Sequence, residues 1–155
     1  MDIDDDAAKR LQDEEHPGSE FESALDKDTL SDVVKQAPLV VEASTPLAQT
    51  ISEMQEQRRG CALVAENGKL TGIFTERDVL MRVAGKGLDA EQTPVSTCMT
   101  ADPVTLPGHS SLAHALNLMV IEGFRHIPIV DVDRRPACCV TGGACLECGG
   151  LTPLY

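Results

Sequence analysis

The sequence predicts an α+β fold in which one strand–helix–strand–strand–helix unit occurs twice, the copies related by a pseudo-two-fold axis. The first observation behind this is an internal repeat: Thr29–Lys86 lies over Pro94–Leu151 without a gap, at an offset of 65 residues. Pro38 falls on Pro103, Leu47 on Leu112 and Met54 on Met119, and apolar class is kept at Leu39/Val104, Ile51/Leu116 and Val64/Ile129. The second is a change of period inside each copy, from helical spacing to a continuous apolar run, which separates helix from buried strand. The third is the size of the unit. It cannot bury a sheet face alone, so two copies must pack together, and the clefts between them become the expected ligand sites.

In the first copy, Thr29–Gln36 reads as a short helical turn with Leu30, Val33 and Val34 on one side. Pro38 ends it, and Leu39-Val40-Val41 reads as a short strand. Thr45 is the expected N-cap, with Pro46 at the first helical position. Leu47, Ile51 and Met54 then recur at helical spacing through about Gln57. Cys61–Ala65 is an apolar run suited to a strand covered on both faces. Asn67-Gly68 marks a hairpin, because both residues tolerate positive φ, and Leu70–Phe74 is the returning strand. Thr75 opens a second helix, Glu76–Val83, with Val79, Leu80 and Val83 expected inward and Gly85 and Gly87 closing it. The second copy repeats the order. Val104-Thr105-Leu106 is a strand, and Ser110 or Ser111 caps a helix carrying Leu112, Leu116, Met119 and Val120. Ile127–Val130 is the central strand, and Asp131–Arg135 is the turn.

Composition narrows the function. The 155 residues carry a net charge of −12 and a 42% apolar fraction, enough chain for a real core. Residues 1–36 hold 12 acidic and 4 basic side chains, so residues 1–28 are expected to be a solvated, disordered acidic tail. No apolar run approaches the ~18 residues of a transmembrane helix, and the Asp-rich start, without an apolar h-region, is not expected to be a secretory signal. A cytoplasmic protein with reduced thiols is expected, with no membrane partner. Nucleic acid is not an expected partner either: no basic stripe could neutralise phosphates, and the few aromatic residues are scattered. Cys61, within its apolar run, is expected to be a small core residue.

The repeat resembles the cystathionine-beta-synthase (CBS) domain pair, or Bateman module, over roughly Thr29–Val140. The resemblance rests on Gly72-Ile73-Phe74-Thr75-Glu76-Arg77-Asp78 in copy one and Arg125-His126-Ile127-Pro128-Ile129-Val130-Asp131 in copy two. Each copy also has a leading pattern, Ser31-Asp32-Val33-Val34 before Pro38 and Ser96-Thr97-Cys98-Met99 before Pro103. On this basis residues 29–93 are one repeat, 94–140 a second and incomplete one, and 141–155 an irregular Cys/Gly-rich tail. The resemblance implies a regulatory module rather than an enzyme, binding AMP, ADP, ATP or S-adenosylmethionine between the repeats. It implies that Thr75 and Asp78 face a ribose, and that Arg125 and His126 reach across the axis to its phosphates. It also implies a homodimer and an unidentified regulated protein.

Each of these residues has a plainer reading. Thr75 and Asp78 form a capping box, which needs no ligand. Arg125 and His126 stand at a helix–strand corner where solvated charge is common; as ligand contacts they would clamp phosphate. The equivalent positions in the other copies are Gly60 and Cys61, with Arg58 and Arg59 nearby, and Val140 and Gly143. Sliding by one residue brings Thr141 opposite Thr75, but Ala144 then replaces the carboxylate. One complete cleft and one incomplete cleft are therefore expected.

After Pro136 the pattern breaks down. Gly142-Gly143 and Gly149-Gly150 each disfavour helix by ~1 kcal/mol per glycine, so no stable final helix is expected and the sheet face of copy two should be partly exposed. Cys138, Cys139, Cys145 and Cys148 offer a metal-site alternative, since Cys145 and Cys148 have C-x-x-C spacing, but no matching second pair exists. The competing functions are an adenosyl-ligand sensor, a ligand-free interaction module, and a Cys-rich zinc- or redox-responsive protein. No nucleophile–base pair, catalytic carboxylate pair or phosphate-cradling glycine loop points to an enzyme.

Overall fold

The computed structural model describes residues 27–142. Leu30–Val33 (α1), Val40–Glu42 (β1), Leu47–Glu56 (α2), Cys61–Glu66 (β2), Lys69–Thr75 (β3) and Glu76–Asp78 (α3) come first. α3 continues as a π-helical turn over Val79–Val83. A 3-10 turn at Val95–Thr97 leads to Thr100–Ala101 (β4), Leu106–Pro107 (β5), Leu112–Glu122 (α4), His126–Val130 (β6) and Pro136–Thr141 (β7). The strands form two sheets, ordered β1-β2-β3-β4 and β5-β6-β7.

The register repeats with the sequence. Val41 faces Val64 in a parallel pair, and 65 residues on, Leu106 faces Ile129. A bulge at Val64/Ala65 recurs at Ile129/Val130. The last strand, however, is one residue out of step. Ala62 faces Phe74, but Ile127 faces Val140 rather than Cys139. The hairpin turns explain the slip. Asn67 and Gly68 make a two-residue turn with φ of 51° and 77°. In the second copy, Asp131 N–H donates to the Arg135 carbonyl (3.0 Å) around a longer turn that ends with Arg134 at φ 65°. Thr141, not Val140, therefore stands where Thr75 stands.

Strand alternation divides the side chains between three cores. Ala62, Val64 and Phe74 face α2 in one core, with Leu47 and Met54. Ile127, Ile129, Cys138 and Val140 face α4 in a second, with Leu112 and Ala115. The opposite faces meet each other: Cys61, Leu63, Leu70 and Ile73 pack against Val130 and Cys139. This inter-sheet layer contains the pseudo-two-fold axis.

The copies interlock. Leu30, which precedes the first copy's strands, is fully buried in the second core. Val95 and Cys98, which precede the second copy's strands, are buried in the first core. The backbone bonds repeat too: Leu30 N–H donates to the Ser110 carbonyl at 2.9 Å, and Val95 N–H to the Thr45 carbonyl at 2.8 Å. Leu30 and α4 bury Ile127, Ile129 and Val140, so this sheet face is covered rather than partly exposed as expected.

Several local expectations differ from the structure. Pro46, not Thr45, is the cap residue of α2, because the Leu47 and Ala48 N–H groups are satisfied by the Thr93 and Ala90 carbonyls. Leu80 is 71% exposed, since the π-helical turn shifts the inward face to Val79 and Val83. Val120 is 82% exposed while Leu116, Leu118 and Met119 pack on the core. Of the two candidate caps of α4, Ser111 is used, accepting from His114 N–H at 3.2 Å. β4, which no repeat pattern suggested, extends the first sheet through Gly72↔Ala101. The acidic head up to residue 26, the final-helix question, Cys145 and Cys148 lie outside the described residues.

Candidate functional site

Thr75 and Asp78 are brought together by the end of β3 and the first turn of α3. Asp78 Oδ2 accepts from Thr75 N–H at 2.9 Å and from its hydroxyl at 3.0 Å, while Thr75 Oγ1 accepts from Asp78 N–H at 3.3 Å. The reciprocal capping box is complete. Asp78 is buried, and its Oδ1 lies 3.5 Å from Arg82 Nε. Arg82 in turn donates to the carbonyls of Cys98 (3.2 Å) and Met99 (2.6 Å). The carboxylate thus fixes a helix start and, through Arg82, the leading turn of the second copy.

His126 begins β6 as Cys61 begins β2, and the two meet across the axis. Gly60 permits the approach: a Cβ there would stand 3.0 Å from His126 Cε1 and 3.9 Å from Glu76 Cδ. His126 Nδ1 is buried with no hydrogen-bond partner among the described residues. Cys139, on the inner face of β7, places its sulfur 3.6 Å from Cys61 Sγ. A ligand atom from each of Cys61, His126 and Cys139 lies within 4.8 Å of the others. The hydrogen bond shared with Cys139, helped by His126 and Arg59, holds the Cys61 thiol down to about 5 against the opposing effect of burial. That same bond, together with burial, pushes the Cys139 thiol well up. Arg125 is exposed, and its side chain makes no hydrogen bond or ion pair among the described residues.

A cleft of about 270 Å³ opens beside this layer. Val33, Val34, Pro38, Leu39 and Leu63 give it an apolar wall, and Lys35 and Arg59 give it two cations. Gly60, Cys61, Cys139 and Thr141 close it from the axis side. Arg59 is tethered by an Nη2 bond of 2.7 Å to the Ala37 carbonyl, while its Nε is buried without a partner among the described residues. Thr75, Asp78, Arg125 and His126 are not in the lining. By the 65-residue offset its Arg59, Gly60 and Cys61 correspond to Phe124, Arg125 and His126, so this cleft is the position expected to lack a carboxylate. Sequence reasoning noted Arg59 but not its partner Lys35. The usable signal was that both are basic residues next to the first copy's strand starts, where the second copy has Thr100 and Phe124.

Comparison with known proteins fits this architecture. The CBS domain family profile matches residues 30–85 and 95–146. The chain belongs to the CBS domain family. Among relatives, the CBS domain-containing protein YhcV of Bacillus subtilis is 34% identical over 105 residues, 68% of this chain and 71% of that protein. The CBS domain-containing protein CBSCBSPB3 of Arabidopsis thaliana is 33% identical over 101 residues; the match covers 65% of this chain but only 18% of that longer protein. A conserved protein from Pyrococcus horikoshii superposes with a TM-score of 0.72 at 25% identity, covering 83% of this chain and 96% of that one. The CBS domain pair of protein MJ0100, solved with 5′-methylthioadenosine and S-adenosylmethionine, superposes at 0.70 with 18% identity, covering 79% and 96% of the two chains. CBSX2, solved with AMP, superposes at 0.68 with 21% identity, covering 77% and 94%. The chain is thus a tandem CBS pair of the α+β class.

Proposed function

We propose that this CBS pair is a regulatory module, not an enzyme, that senses an adenosyl ligand (AMP, ADP, ATP or S-adenosylmethionine) between its repeats. The observation that carries the reading is the inter-repeat cleft, which joins a broad apolar wall to the cations of Lys35 and Arg59. A flat base suits the wall and an anionic phosphate suits the cations. Its volume is near the lower end of the ~300–1,000 Å³ common for small-molecule sites. Two CBS-pair neighbours bind ligands of this class. The pseudo-symmetric position, marked by Thr75, Asp78, Arg125 and His126, is the second place we propose for the same chemistry. There a ribose would share Asp78 with the helix cap.

The output passes to a regulated protein or a change of oligomer. A homodimer is the form we propose, since α3 and its π-helical turn expose Leu80 and Met81, and α4 exposes Val120 and Ile121. Free thiols at Cys61, Cys98, Cys138 and Cys139 suit the reducing cytoplasm. Among the described residues no helix is long and apolar enough to cross a membrane. Thermal unfolding with each of the four ligands tests the sensor. A ligand at about 100 times its Kd should add ~2.7 kcal/mol, whereas unchanged melting with all four would leave the reading without support.

A further inference from the structure

We propose that Cys61, Cys139 and His126 form a Zn²⁺ site that ties the two repeats together at the pseudo-two-fold axis. Cys61 comes from β2 of the first repeat, and His126 and Cys139 from β6 and β7 of the second. The three donors converge because strand alternation turns all of them into the inter-sheet layer. Two thiolates and an imidazole are a borderline-soft set that favours Zn²⁺ and disfavours Mg²⁺ or Ca²⁺.

Geometry supports the assignment. Two sulfurs bound at ~2.3 Å to a tetrahedral ion lie about 3.8 Å apart. The Cys61 and Cys139 sulfurs are 3.6 Å apart, far beyond the ~2.05 Å of a disulfide. All three donor atoms already lie within 4.8 Å of one another, so an ion could be taken up with side-chain adjustments alone. His126 Nδ1 supplies an independent observation: a buried nitrogen without a partner among the described residues ordinarily needs one. Gly60 leaves room for the imidazole beside β2, where a Cβ would stand 3.0 Å from His126 Cε1. Among the described residues the set supplies three of the four tetrahedral positions. Cys61 and Cys139 also line the inter-repeat cleft, so the ion would sit at its wall. The proposal stands whether or not a nucleotide binds at Lys35 and Arg59; with His126 on the ion, Arg125 alone would be the cation of the mate position, and the site differs from one built on Cys145 and Cys148.

The test is Co²⁺ and Zn²⁺ titration of the full chain, reduced with a phosphine. One Co²⁺ per chain is expected, with tetrahedral d–d bands and a thiolate charge-transfer band of two-sulfur intensity. Zn²⁺ should displace it and raise the melting temperature. Cys61→Ser, Cys139→Ser and His126→Gln should each weaken binding at least ~100-fold, more than outer-sphere changes do. The Cys145→Ser/Cys148→Ser double variant should bind as the parent does. His126→Gln, at a half-buried position, gives a readout if a cysteine variant misfolds, and circular dichroism checks each fold. Absence of the charge-transfer band in the parent would overturn the site, as would binding that survives in folded Cys61→Ser or His126→Gln. Loss of binding in the tail double variant alone would overturn it in favour of the tail.

Discussion

Asp78 already has employment for both carboxylate oxygens, one on the Thr75 cap and one on Arg82. Thr75→Val removes the hydroxyl half of the box and should lower stability by ~0.5–2 kcal/mol, a usual cap value, read from the denaturant midpoint. Asp78→Ala should fall further, because it also leaves Arg82 without its anion between α3 and the carbonyls of Cys98 and Met99. A smaller loss than that of Thr75→Val would contradict the bridging role. At Gly72 the constraint is space. A Cβ there would overlap the Met99 side chain, with Cε at 2.9 Å and Cγ at 3.0 Å. Gly72→Ala should cost ~1–3 kcal/mol as overpacking, and Gly72→Ala/Met99→Ala should recover part of it. The motif glycine of β3 was visible in the sequence, but its reason was not. Met99 lies 27 positions away in the chain, and only the pairing of β4 with β3 brings it close.

At the scale of elements, the exposed side of α3 offers a direct contrast with β3 beneath it. Leu80→Gln should change stability by no more than ~0.5 kcal/mol in the monomer. Phe74→Ala, at a fully buried side chain, should cost ~3–5 kcal/mol; similar losses from both would mean that α3 faces inward through Leu80 after all. The 65-residue offset made most of this legible, down to the facing pairs Val41/Val64 and Leu106/Ile129. It failed at β7, where a longer turn moves every side chain by one position. In a strand, a one-residue slip exchanges the two faces. That slip is what aims Cys139 at Cys61 and leaves Cys138 in the α4 core. The Cys61–Cys139 contact was hidden for the same reason: a 78-residue separation has no local signature. Leu80 and Val120 were misassigned because apolar spacing alone does not register a π-helical turn or distinguish adjacent faces of a strongly apolar helix.

At the scale of the whole molecule, the exchanged leading turns make two sequence repeats one folding unit. Leu30 belongs to the second core and Val95 to the first, so neither repeat has a complete core of its own. Leu30→Ala should destabilise by ~2–5 kcal/mol, and the protein should unfold in one transition; separate transitions for the two repeats would contradict the interlock. Arg134 adds a polar link between the copies. Its Nε donates to the Leu70 carbonyl at 3.3 Å, and its guanidinium pairs with Asp102. This coupling gives a ligand between the repeats a means of acting on the whole chain. The most direct test of that account is calorimetric titration of the full chain with AMP, ADP, ATP and S-adenosylmethionine, repeated on Arg59→Ala. The account predicts that at least one ligand binds and that Arg59→Ala weakens it at least tenfold. No binding heat from any of the four over a range of temperatures, or undiminished affinity in the variant, would contradict it.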